Sequence, residues 1–208
     1  DIPTFIKLAK EEKIEEAYEI ISKTSVLPGI CGRICPHEKQ CEGSCIRGIK
    51  GEPVSIGVLE AYVFDKIHEK KFDVTDCYEK KERKNKKVAI IGGGPSGLTC
   101  AAFLAKEGVD VTIYEKYNYL GGLLIYGIPE FRLPKIIVKQ TVQKILDLGL
   151  EVKYKMELGK NLLLEQLEKE YDAIFLAFGA NITSKMEVQW EELEGVIGGN
   201  QLLEKGNH

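Results

Sequence analysis

Apolar positions along the chain change period, and the changes divide it. Phe5, Leu8 and Ala9 behind Thr4 as a candidate cap predict a first short helix. Ala17, Tyr18, Ile20 and Ile21 predict a second one from about Ile14. From Pro53 to Lys70 the residues Ile56, Leu59, Val63, Phe64 and Ile67 fall on one stripe when each residue turns by about 100°. Beyond a polar run, Lys80 to Lys87 (KKERKNKK), continuous apolar segments replace helical periodicity. Val88 to Ile91 reads as a strand, a helix follows, and a second strand ends at Glu115. Lys135 to Leu148 reads as an amphipathic helix, Glu151 to Lys155 as a strand and Leu162 to Lys169 as a short helix. Asp172 to Phe178 (DAIFLAF) reads as a buried strand ending at Gly179-Ala180. The pattern therefore predicts an α-helical part, a solvated connector and an α/β part.

The junction between the first strand and its helix carries the first chemistry. In VAIIGGGPSGLTC, Gly92 permits a tight turn, Gly94 permits close approach of a pyrophosphate, and Gly97 with Ala101 lets helix and strand pack. Gly93, Pro95 and Ser96 complete the loop at the helix N-terminus, where unpaired N–H groups favour anions. Glu115 stands where an acid accepts hydrogen bonds from ribose hydroxyls, which favours FAD or NAD over NADP. A second glycine pair, Gly121-Gly122, follows six residues later and suits a backbone wrapping along an extended cofactor such as FAD.

Four of the six cysteines form the run Cys31, Cys35, Cys41 and Cys45, spaced C-x3-C-x5-C-x3-C with Pro36 after the second. The spacing admits an iron–sulfur cluster, a zinc site, or free or disulfide-bonded thiols, and the Cys-Pro step leans toward the first. Cys100 reads as a small buried residue, and Cys77 has no evident role. Glu60 interrupts the apolar stripe of its helix. A carboxylate there needs a partner, either a cation such as Arg33 or Arg47 or a metal.

Composition removes several classes of function. The 208 residues carry a net charge of -3 and 44% apolar residues, enough for a substantial core. No basic tract with interleaved aromatics points to nucleic acid. No apolar run approaches the roughly 18 to 20 residues that span a bilayer, and the expected location is cytoplasmic.

Three motifs in order, LPGICGRICPHEKQCEGSCIRG, IGGGPSGL and GGLLIYGIPEFRLPK, resemble the flavin subunit of glutamate synthase and its relatives. These relatives include the large subunit of NADH-dependent ferredoxin:NADP oxidoreductase and the N-terminal part of dihydropyrimidine dehydrogenase. The resemblance implies a multi-domain protein. An α-helical iron–sulfur domain (1–80) and a linker (81–87) precede the first part of a Rossmann-like FAD-binding domain (88–208). It implies an oxidoreductase moving electrons between NAD(P)H, FAD and [4Fe-4S] clusters, with no side-chain catalyst and with a larger oxidoreductase subunit as partner. By resemblance, Cys35, Cys41 and Cys45 are cluster ligands, Cys31 is a further candidate, and Glu60 is a non-cysteine ligand. For FAD it implies Gly92 to Ser96 at the pyrophosphate, Gly97 behind them, Glu115 at the ribose, and Lys116 to Leu123 around the cofactor. Arg132, Leu158 and Ile34 are implied beside it. The family's upstream cysteine run and its second nucleotide fingerprint, which binds NAD(P)H, do not occur in the sequence. The chain by itself is thus expected to bind FAD poorly or not at all and not to oxidise NAD(P)H. The rival expectation is a non-enzymatic electron-transfer or zinc-stabilised module.

Overall fold

The computed structural model describes residues 1–70, 81–180 and 184–207. Cys77 and Lys80 lie outside them. In chain order the helical part comprises α1 (Ile2–Lys10), α2 (Ile14–Ser22), α3 (Pro28–Ile34), two short 3-10 turns (His37–Lys39 and Ile46–Ile49) and α4 (Ile56–Glu69). The α/β part comprises β1 (Lys87–Ile91), α5 (Pro95–Lys106), β2 (Asp110–Glu115), α6 (Leu123–Tyr126) and α7 (Lys135–Leu146). It continues through β3 (Glu151–Tyr154), α8 (Leu164–Glu170), β4 (Ala173–Leu176) and α9 (Gly199–Asn207).

Helix α1 is capped by Asp1 rather than by Thr4. The Asp1 carboxylate accepts from the Thr4 backbone N–H at 3.1 Å, so Thr4 lies inside the first turn. Phe5, Ala9, Ala17, Tyr18 and Ile21 close against Val63, Phe64 and Ile67 of α4 in one core. Helix α3 sits on the same α4 through its small residues. A Cβ added at Gly32 would stand 2.6 Å from the Gly57 carbonyl oxygen, so only glycine admits this approach of the two backbones.

The sheet is parallel with order β3-β2-β1-β4. Residue Ile91 at the end of β1 is in register with Tyr114 of β2 on one side and Leu176 of β4 on the other. The connection leaves β1 toward β2 and later returns to its other flank, so the carboxyl ends of β1, β2 and β4 surround a topological switch point. Ligands of open α/β sheets bind in the crevice there.

The two parts share packing. Val26, Leu27 and Ile30 of the helical part are buried in the same cluster as Val88, Ile90, Leu98 and Val138. Lys144 of α7 reaches the helical core, its ammonium 4.9 Å from the Tyr18 ring centre and 5.0 Å from that of Phe64. The polar connector is exposed yet not loose where it is described. Lys81 and Lys84 donate their backbone N–H groups to Lys106 and Gly108 carbonyls, and both side chains pair with Glu107.

Candidate flavin nucleotide and iron–sulfur sites

The glycine loop is held rigidly on its inner side and left open on its outer side. Gly92 has φ of 109°, and a Cβ on it would lie 2.4 Å from the Ala177 carbonyl oxygen. A Cβ on Gly97 would lie 1.9 Å from the Gly92 carbonyl oxygen. At Gly94, the residue capping α5, a Cβ would meet nothing within 4 Å. The space beside Gly94 is a cavity of about 810 Å³ at the carboxyl end of the sheet. Gly92, Gly94, Pro95, Ser96, Glu115, Lys116, Gly122, Leu123 and Leu158 line it among others, so most of the residues implied for FAD meet at one place. Leu176, Ala177, Phe178 and Gly179, from β4 and its exit, form a further wall.

The second glycine pair docks onto the first loop. The Gly121 N–H donates to the Gly93 carbonyl at 2.8 Å, and a Cβ on Gly122 would stand 3.0 Å from the Gly94 Cα. Glu115 is 5% exposed, and both its oxygens are engaged: Oε2 accepts from the Gly93 N–H at 2.7 Å and Oε1 from the Tyr117 N–H at 2.9 Å. The acid therefore braces the glycine loop as well as facing the cavity. Each carboxylate oxygen keeps a second acceptor direction for a ribose hydroxyl. Volume, open glycine face and helix N-terminus fit a dinucleotide cofactor.

Five residues implied for FAD stand away from this cavity or behind its wall. Gly93, Gly97 and Gly121 are buried behind the lining. Ile34 packs against the main core instead. Arg132 is exposed on the loop surface, its backbone N–H bonded to the Pro129 carbonyl. The cation drawn inward in this loop is Lys135, whose ammonium donates to the Leu124 carbonyl at 3.0 Å and also to the Ile128 carbonyl. Burial lowers its pKa. Tyr117 lines the cavity from within the implied Lys116 to Leu123 wrap, and Tyr126 and Asn200 line it without a sequence signal that marked them.

At the helical part, Cys35, Cys41 and Glu60 line one cavity of about 240 Å³ together with His37. Cys31 lies beside Cys35 and Glu60 but is more deeply placed. Burial, followed by the neighbouring Cys35 and Glu60 charges, pushes its thiol up to about 12. Cys45 is held apart by backbone amides of Val54, Arg47 and Gly48, which hold its pKa down and favour the thiolate. These four cysteines carry free thiols. Among the described residues no three His, Cys, Asp or Glu side chains are arranged around a single metal ion. A [4Fe-4S] cluster takes its ligands at four separate irons, so thiols spread about a cavity fit it better than they fit one tetrahedral zinc.

Glu60 is where the two readings of a buried carboxylate part. Burial raises its pKa to about 7, and no ion pair or hydrogen bond offsets that among the described residues. The proposed cation Arg33 is committed elsewhere, to both oxygens of Asp65 at 2.6 and 2.7 Å and to the Gly29 carbonyl at 2.8 Å. His37 packs over Gly57 and contacts the Cys31 carbonyl at 3.0 Å, walling the same cavity.

Comparison with known proteins finds relatives of both parts of the chain. Residues 1–72 match the family described as dihydropyrimidine dehydrogenase domain II, 4Fe-4S cluster, and residues 90–130 match the NAD(P)-binding Rossmann-like domain. The chain is 38% identical over 197 residues to the glutamate synthase [NADPH] small chain of Escherichia coli strain K12, covering 94% of this chain and 41% of that protein. It is 39% identical over 194 residues to the NADPH-Fe(3+) oxidoreductase subunit beta of Geobacter sulfurreducens, covering 92% of this chain and 28% of that one. Among solved structures, Mycobacterium tuberculosis FprA in complex with NADPH superposes with a TM-score of 0.54 at 24% identity. It covers 57% of this chain and 28% of FprA, a likeness of fold. The resemblance carried by the three sequence motifs therefore holds: an iron–sulfur-type helical domain precedes a Rossmann-like one, and the chain is similar to oxidoreductase subunits over nearly all its length. It spans less than half the length of these relatives.

Proposed function

We propose that this chain carries the flavin- and cluster-binding portion of an NAD(P)H-linked oxidoreductase of the glutamate synthase small-chain type. Its electrons pass between NAD(P)H, FAD and [4Fe-4S] clusters. The observation that supports this best is the single cavity onto which Gly92, Gly94, Glu115, Gly122 and the end of β4 all open. A bound FAD would supply the conversion between hydride and single-electron transfer. The chain's own residues do the remaining work. The N-terminus of α5 and the Gly94 face receive phosphate, Glu115 shapes the loop and accepts from the ribose, and Leu158 and Phe178 exclude water.

For the cluster, Cys35, Cys41 and Cys45 are the proposed cysteine ligands, with Glu60 as a non-cysteine ligand and Cys31 held as a neighbouring thiol. The carboxylate with no cation of its own and the amide-stabilised Cys45 thiolate support this assignment. Domain limits of 1–80, 81–87 and 88–208 are part of the proposal. So are a cytoplasmic location and a larger oxidoreductase subunit as partner. No helix among the described residues is long and apolar enough to cross a membrane.

Anaerobic reconstitution with iron and sulfide tests the cluster half. The expected product holds iron and acid-labile sulfide in equal amounts with broad visible absorbance, and Cys41→Ser lowers both together. One tightly bound zinc per chain, with iron rejected, would instead establish the zinc-stabilised module.

A further inference from the structure

Helix α9 has no buried residue and carries Gly199 and Gly206, so its own propensity does little to hold it. Two polar contacts dock it, and both end on the wall of the nucleotide cavity. The Tyr117 hydroxyl donates to Glu204 Oε1 at 3.1 Å, and Asn207 Nδ2 donates to the Tyr126 carbonyl at 2.7 Å. Tyr117 and Tyr126 both line the cavity, and so does Asn200 from the first turn of α9. Tyr117 is fixed from three directions. Its N–H is bound by Glu115, its ring stacks on Tyr119 at 5.3 Å with planes 7° apart, and its hydroxyl is held by Glu204.

We propose that Tyr117 is a positioning residue for the flavin nucleotide and that α9 is a working wall of its site. Tyr117 lines the cavity with the Lys116 ammonium 4.7 Å from its ring centre, and its hydroxyl clamps α9 through Glu204, which keeps Asn200 at the cavity. Nucleotide binding and α9 docking are thereby one coupled event. A ligand that packs on the Tyr117 ring restricts that ring, and a restricted ring costs less entropy to bond to Glu204. The proposal deepens the flavin reading above and rests on it.

The test combines FAD titration, followed by quenching of flavin fluorescence, with amide hydrogen exchange of residues 199–207. In the unaltered chain FAD slows exchange in α9. Tyr117→Phe keeps the ring and loses the clamp, and Glu204→Ala loses it from the other side. Each weakens FAD about 3- to 10-fold, the scale of one hydrogen bond, and abolishes the FAD-dependent slowing. Combining them weakens FAD no further. Glu204→Gln retains an acceptor and preserves most of the coupling. Unchanged α9 exchange on saturation with FAD, or full FAD affinity in both clamp variants, overturns the proposal. Failure of the unaltered chain to bind FAD overturns the flavin reading itself. The clamp is then still judged without nucleotide, where Tyr117→Phe must speed α9 exchange and equal exchange refutes it.

Discussion

Arg33 and Asp65 form a two-pronged pair across α3 and α4, with Arg33 Nη2 at 2.6 and 2.7 Å from the two carboxylate oxygens. Asp65 lies five residues beyond Glu60 on the same helix, and its capture of Arg33 leaves the Glu60 carboxyl to the cysteine cavity. In the cluster-free protein that carboxyl is a liability at neutral pH. Its folded-state pKa stands at about 7, above the ordinary 4.5. The folded state therefore binds more protons between these values, so stability is greatest in acid and declines as pH rises through this window. Glu60→Gln is expected to raise the stability of the cluster-free chain at pH 8 by about 1 to 3 kcal/mol, and to flatten that slope. Urea unfolding at pH 5 and pH 8 measures both. An equal loss of stability at the two pH values would mean that Glu60 has a partner.

His68 runs the opposite way. Burial, ahead of the Lys144 charge, lowers its pKa from 6.5, and its Nε2 is buried with no hydrogen-bond partner among the described residues. The unfolded chain then binds the extra proton first, and this contribution to stability is lost as pH falls below 6.5. Lys144→Met is expected to raise the His68 pKa, seen by proton NMR titration. The same change loses about 1 kcal/mol of stability with the cation over the Tyr18 and Phe64 rings. A His68 titration unmoved by the change would refute the electrostatic link between α7 and the helical part.

Two loop glycines, Gly97 and Gly94, are expected to separate folding from binding. Gly97→Ala places a Cβ against the Gly92 carbonyl and should cost about 3 kcal/mol of stability. Gly94→Ala meets no protein atom within 4 Å and has φ of -78°, so thermal stability stays within about 0.5 kcal/mol while nucleotide affinity falls at least tenfold. Thermal melts beside titrations decide it. Undiminished affinity in Gly94→Ala would place the phosphates elsewhere.

Glu115→Ala removes the acceptor of two backbone N–H groups, those of Gly93 and Tyr117. FAD affinity should drop by about 1 to 3 kcal/mol, and amide exchange at the loop should quicken even without nucleotide. A loss of affinity with unchanged loop exchange would assign Glu115 to the ribose alone.

What the sequence made legible was local. Strand, glycines, helix, strand and acid from Val88 to Glu115 are consecutive, and Gly97 answers to Gly92 five residues away, whereas the need for Gly92 itself comes from the distant Ala177 carbonyl. Helix α3 was not legible because Gly29 and Gly32 disfavour helix. They are tolerated because Phe64 and Gly57 of α4 pack directly against them. Helix α9, with its two glycines, is likewise held by tertiary contacts to Tyr117 and Tyr126. For Arg33, spacing on α4 could not choose between Glu60 and Asp65, because the choice depends on how α3 crosses α4. The resemblance implied Arg132 beside the cofactor, yet the turn at Pro129 leaves it on the surface and Lys135 turns inward.

The most direct measurement is an equilibrium titration of the same chain with FAD and with NADPH, repeated on Gly94→Ala. The account predicts weak but saturable FAD binding, still weaker NADPH binding, and loss of the FAD signal in the variant at unchanged melting temperature. Saturable NADPH binding with no FAD binding, or FAD binding indifferent to Gly94→Ala, would contradict it.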